Sequence, residues 1–93
     1  MSEEWKKVGL RLKLIREAKG IKSQAALARI IGATPDQYNV WERGGGQLPI
    51  VYAIRIYTFT GAGLDYIYRG DMSGLPVTLA TDINQISLNN FSK

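Results

Sequence analysis

Neither cysteine nor histidine occurs in this 93-residue chain. The first absence excludes disulfides and thiolate nucleophiles, and the second excludes imidazole bases; together they remove the usual zinc ligands. A cysteine-free chain fits a reducing, cytoplasmic setting. Long apolar runs are missing too. No stretch approaches the roughly 18 residues of a membrane span, and the opening residues, MSEEWKK, lack a signal-peptide pattern, so no membrane partner is expected. Carboxylates are scarce in the second half, where Asp65, Asp71 and Asp82 stand singly and make no metal site. No nucleophile sits beside a base, and enzyme is the least supported class, with no cofactor implied. The run Gly44-Gly45-Gly46 lacks the Lys-Ser/Thr ending of a phosphate loop and reads as a flexible connection.

What is present is the composition of one small globular domain, 45% hydrophobic and 22% charged. The net charge of +4 is unevenly placed: residues 1–43 carry nine basic and five acidic side chains, and residues 44–93 carry three of each. All the excess positive charge therefore lies in the first half, the minimal footprint of a chain that meets phosphates. A solvated basic face gives the same count.

Apolar periodicity predicts helices. Trp5, Val8, Leu12 and Ile15 recur at spacings of three and four, widened by Leu14 and Ala18, so a first helix is expected over Trp5 to Lys19 with Gly20 as its stop. Ser23 caps a second helix, Gln24 to Ile31, which Gly32 ends. The third starts at Thr34 as N-cap, with Pro35 as first helical residue and Gln37 in the capping-box position, and it ends before Gly44. A fourth is expected from about Pro49 to Thr60; its Ile, Val, Tyr and Phe content makes a strand the competitor, and the Ala53–Tyr57–Thr60 spacing favours helix. A short fifth covers Leu64 to Arg69. Leu75, Leu79, Ile83 and Ile86 allow a sixth helix in the tail, with Ser87 to Lys93 polar enough to fray. The tyrosines read mainly as packing residues, with Tyr68 the best candidate for exposure.

Helices two and three belong together. Leu27 and Ile31 share one face, Tyr38 and Trp41 another, and Ala28 and Gly32 permit close approach and a left-handed turn. Two short helices joined by Gly-Ala-Thr in this pattern must cross steeply, as in a helix-turn-helix. Tyr38 and Trp41 read as core, leaving Asp36, Asn39 and Val40 away from that face.

Residues 11–71 resemble the Cro/CI-type (XRE-like) helix-turn-helix regulators, phage-related members included. The resemblance rests on "RLKLIREAKG", "SQAALARIIGATPDQYNVWERG" and "GAGLDYIYRGD". It implies an all-α bundle of five helices of the lambda-repressor-like fold, with a sixth helix or arm at the C-terminus. Residues 1–71 would form the DNA-binding domain and 72–93 an extension that either dimerises or covers the core. By that likeness Pro35, Asp36, Asn39 and Val40 would read bases in the major groove, while Lys22, Ser23, Gln24, Arg43 and the backbone N–H of Gly44 would meet phosphate. Arg16 would pair with Glu42 as a structural ion pair. The implied activity is sequence-specific transcriptional regulation, a repressor encoded by a bacterium or phage, acting on double-stranded DNA as a homodimer. The dimer surface would use Leu64, Ile67, Leu75, Leu79 and Ile83. The chain departs from the family pattern at "GIKSQ", one residue longer than usual, at Gly63 in place of a Ser or Thr cap, and at Pro35 and Asp36. The alternative is an antitoxin or other protein-interaction module on the same fold, with a protein partner.

Overall fold

Local capping chemistry sets most of the helix boundaries. A computed structural model describes residues 2–91, which form five α-helices and one π-helical turn. No strand occurs among the described residues. Helix α1, Glu3–Ala18, begins two residues before the expected start because the Ser2 side chain accepts the Trp5 N–H at 3.4 Å and Glu3 and Glu4 complement the helix dipole. Helix α2, Gln24–Ile31, is capped by Ser23, whose hydroxyl accepts the Ala26 N–H at 3.0 Å, and ends at Gly32 with φ +77°. Helix α3, Pro35–Glu42, has a full capping box: Thr34 and Gln37 each accept the other's backbone N–H, at 3.1 and 2.9 Å.

Helix α4, Ile50–Thr60, settles the competition with a strand. Ala53, Ile56 and Thr60 turn inward together, a helical and not an alternating pattern, and the Thr58 and Thr60 hydroxyls bond back to the carbonyls of Ile54 and Ile56. Pro49 is the N-cap and not the first helical residue, because its extended ψ of 145° leaves only its carbonyl inside the helix, accepting from Tyr52 and Ala53. The expected fifth helix is a single π-helical turn, Asp65–Arg69, closed by the Gly70 N–H on the carbonyls of Asp65 and Tyr66. That turn buries the adjacent residues Tyr66 and Ile67 together.

The tail forms α5, Val77–Phe91. It packs along α1, and Leu75, Leu79 and Ile83 join the same core as Leu12, Ile15, Leu27, Tyr38 and Ile56. Of the two roles left open for this tail, the structure gives these residues to covering the core. The apolar set expected to form a dimer surface is accordingly buried, with Ile67 at 0% and Ile83 at 2% exposure, and Leu64 half-buried. One core therefore spans the expected boundary at residue 71. The radius of gyration, 12.2 Å, matches a single packed unit of this length, for which about 12 Å is expected. Residues Ser87–Phe91, expected to fray, are helical; residues 92 and 93 lie outside the described residues. Tyr68 is half-buried, donating to the Leu48 carbonyl at 2.9 Å and meeting Trp5 edge-on at 6.4 Å. Tyr57, expected to pack, is half exposed instead.

Two glycines let α1 lie against the end of α3. A Cβ on Gly9 would fall 2.7 Å from the Trp41 carbonyl oxygen and nearer still to that of Glu42. Gly44, with φ +77°, would place one 2.6 Å from the Lys6 Cα. Backbone thus touches backbone, bringing Arg16 of α1 within reach of Glu42.

Candidate functional site

Helical spacing places Asp36, Asn39 and Arg43 along one side of α3 and its C-cap, opposite Tyr38 and Trp41. The three are exposed, as is Pro35 at the start of the helix. Tyr38 and Trp41 are buried, edge-to-face at 6.3 Å, and Trp41 continues onto Tyr52 at 4.9 Å. This aromatic row fixes the rotation of α3 and so decides which residues face outward. Val40 is half-buried and packs toward Gly46, leaving it only an edge to offer.

Behind the exposed side runs a chain of polar contacts. The Arg16 guanidinium donates to both carboxylate oxygens of Glu42, each at 3.0 Å, and to the Ile21 carbonyl at 3.1 Å. The Gln24 amide nitrogen donates to Glu42 at 3.1 Å, and the Asn39 amide nitrogen donates to the Gln24 oxygen at 2.9 Å. The ionised carboxylate dictates the direction of the whole chain, since it can only accept. Gln24 must therefore turn its nitrogen to Glu42 and its oxygen to Asn39, and Asn39 must donate. Asn39 keeps its own carbonyl oxygen and one N–H free toward solvent, in an orientation traceable to a buried ion pair.

The electrostatics follow from that pair. Burial pushes the Glu42 carboxyl upward, but the hydrogen bonds from Arg16 and Gln24 outweigh it and hold the group below its ordinary value of 4.5. The hydrogen bond to Glu42 outweighs burial at Arg16 and raises its guanidinium further. Burial, reinforced by the Glu42 charge, raises the Tyr38 phenol far above 10. Its hydroxyl lies by the pair yet completes no hydrogen bond of good geometry. Because Arg16 and Glu42 neutralise each other inside, the positive excess of residues 1–43 rests on the other side chains, most of them exposed and Arg11 half-buried against the Ile67 carbonyl.

The remaining expected contacts are distributed differently. Arg43 and Gln24 line a shallow notch together with Lys13, over the Arg16–Glu42 pair. Lys13 was missed by sequence reasoning, although its place three residues before Arg16 on α1 was the available signal. Lys22 is exposed but lines a separate groove with Gly20, Ile21 and Ile86. The Ser23 hydroxyl serves as the cap of α2, and Gln24 holds Asn39 and Glu42, so the phosphate role expected for Gln24 is left with one spare N–H. The Gly44 N–H, expected to meet phosphate, donates instead to the Trp41 carbonyl at 3.2 Å, and the residue is buried against Lys6. That donor is spent.

No family model, no curated protein and no solved structure matches this chain. No helix among the described residues is long and apolar enough to cross a membrane.

Proposed function

We propose that this chain binds double-stranded DNA and acts as a sequence-specific transcriptional regulator, presenting the exposed side of α3 to the major groove. The carrying observation is the anchored Asn39. Its free carbonyl and N–H form the donor–acceptor couple that fits adenine in the major groove, and the Gln24–Glu42–Arg16 chain holds that couple in advance of binding. Asp36, one turn earlier, suits a cytosine amino group and disfavours phosphate. Pro35 and the edge of Val40 offer apolar contact, as to a thymine methyl. Arg43 and Lys13 flank this edge as phosphate contacts, with Lys22 and the spare Gln24 N–H on the neighbouring side.

Fluorescence anisotropy with duplex DNA at several salt concentrations tests the reading. Binding should weaken steeply as salt rises, and Arg43→Ala should flatten the logarithmic slope by about one unit for each phosphate the side chain no longer neutralises. No binding at low salt, or binding indifferent to salt, refutes it. The second reading, a protein-interaction module, has one observation in its favour: an apolar face on α4.

A further inference from the structure

The side of α1 turned away from α3 borders an open cleft of about 340 Å³, completed by the π-helical turn and α5. Lys7, Leu10, Arg11 and Leu14, at helical spacings of three and four, share that side, while Gly9 and Arg16 face α3. The lining is of two kinds. Leu14, Met72 and Ile83 form an apolar floor, with Leu10, 55% exposed, at the rim. Lys7, Arg11 and Arg69 supply three cations, and no carboxylate lines the cleft. Arg69 meets Asp65 at 3.4 Å outside it, in a pair so exposed that it holds the guanidinium weakly. Arg11 is fixed more firmly: its Nη1 donates to the Ile67 carbonyl at 3.2 Å. Its guanidinium fills the space that a Cβ on Gly70 would need, 2.9 Å from Nη2 and 3.1 Å from Nε. Nε and Nη2 make no hydrogen bond among the described residues. That edge is the two-pronged donor that grips both oxygens of a carboxylate.

We infer that this cleft binds a small organic anion, a carboxylate on an aliphatic body. Arg11 takes the carboxylate with Lys7 and Arg69 beside it, and the body lies on Leu10, Leu14, Met72 and Ile83. Magnitude selects this class of ligand. The volume falls at the lower end of small-molecule sites, roughly 300–1,000 Å³, whereas a stable protein partner needs about 800 Å² of surface on each side. An inorganic anion would use the cations and leave the apolar wall in water, and a neutral hydrocarbon would leave the Arg11 edge unpaired. The cleft rests on α1, the π-helical turn and α5, and the inference holds whether or not α3 binds DNA.

Proton–nitrogen correlation NMR of the full chain, titrated with sodium octanoate, is the test. The amides of Leu10, Arg11, Gly70, Met72 and Asn84 should shift and saturate. For a ligand of about ten non-hydrogen atoms the dissociation constant should be about a millimolar. Acetate has the charge without the body and 1-octanol the body without the charge, so each should bind at least about tenfold more weakly. Arg11→Gln should weaken octanoate binding by about tenfold or more. Because Arg11 also ties α1 to Ile67, Lys7→Gln and Leu10→Gln at exposed positions serve as independent variants. Each should weaken binding by about threefold or more, with unchanged far-ultraviolet circular dichroism. Lys19→Gln, which removes an exposed cation outside the cleft, should leave binding unaltered. No saturable shift up to about 20 mM octanoate overturns the inference. So do shifts centred on the exposed Ile50, Ile54 and Tyr57 of α4, octanol binding as tightly as octanoate, or affinity kept by all three cleft variants.

Discussion

Replacing Glu42 by alanine removes the carboxylate at the centre of the polar chain. The Arg16 and Glu42 side chains are 9% and 4% exposed, so the pair is held largely away from water. The guanidinium would lose two 3.0 Å charge-assisted hydrogen bonds and keep only the Ile21 carbonyl. Stranding one member of a buried pair costs about 3–5 kcal/mol. A chain of this length has a total stability of about 5–14 kcal/mol, so the loss is about a fifth of it or more. At roughly 4–8 °C per kcal/mol for a domain of this size, the melting midpoint should fall by about 12–40 °C. Thermal and urea unfolding followed by circular dichroism measure it. The double variant Arg16→Met with Glu42→Leu, which removes both charges and fills the space, should recover most of the loss. A single-variant loss below about 1 kcal/mol, the value of an exposed pair, would refute the reasoning.

Three further outcomes follow from the same geometry. Because the Glu42 pKa is depressed on folding, its contribution to stability is complete above pH 4.5 and is lost as pH falls through the lower folded value; Glu42→Gln should remove that part of the acid slope in urea titrations. Gly9→Ala forces a methyl into the Trp41 and Glu42 carbonyls, where backbone cannot step aside, and should cost about 2 kcal/mol or more by urea unfolding, although alanine is the better helix former. Tyr38→Phe deletes a buried hydroxyl without a well-formed hydrogen bond, so the midpoint should hold within about 1 kcal/mol or rise.

The turn between α2 and α3 was legible because its instructions are local. Ser23, Gly32, Thr34, Pro35 and Gln37 each act on backbone groups within four residues, and both helix boundaries fall where those residues place them. The role of Gln24 was not legible, since Glu42 and Asn39 lie 18 and 15 residues away and no local pattern pairs them. Gly9 read as nothing in particular, because a glycine's partner in a close crossing is backbone, which has no sequence signature. The same holds for Gly44, whose value is its left-handed φ against Lys6 and not its N–H. Periodicity announced that Leu75, Leu79 and Ile83 share a face, but it cannot say whether that face meets the same core or another molecule. The outward face of α4 was hidden by its β-branched content, which blurred helix with strand until the inward set was known.

Selection of bound duplexes from a random pool, run in parallel for the wild type and Asn39→Ala, tests the central claim most directly. The wild-type pool should converge on a motif, and the variant should lose its preference at one base position per half-site while keeping the rest. A pool that does not converge, or a variant that selects the same motif with undiminished preference at every position, would contradict the assignment of α3 as a reading helix.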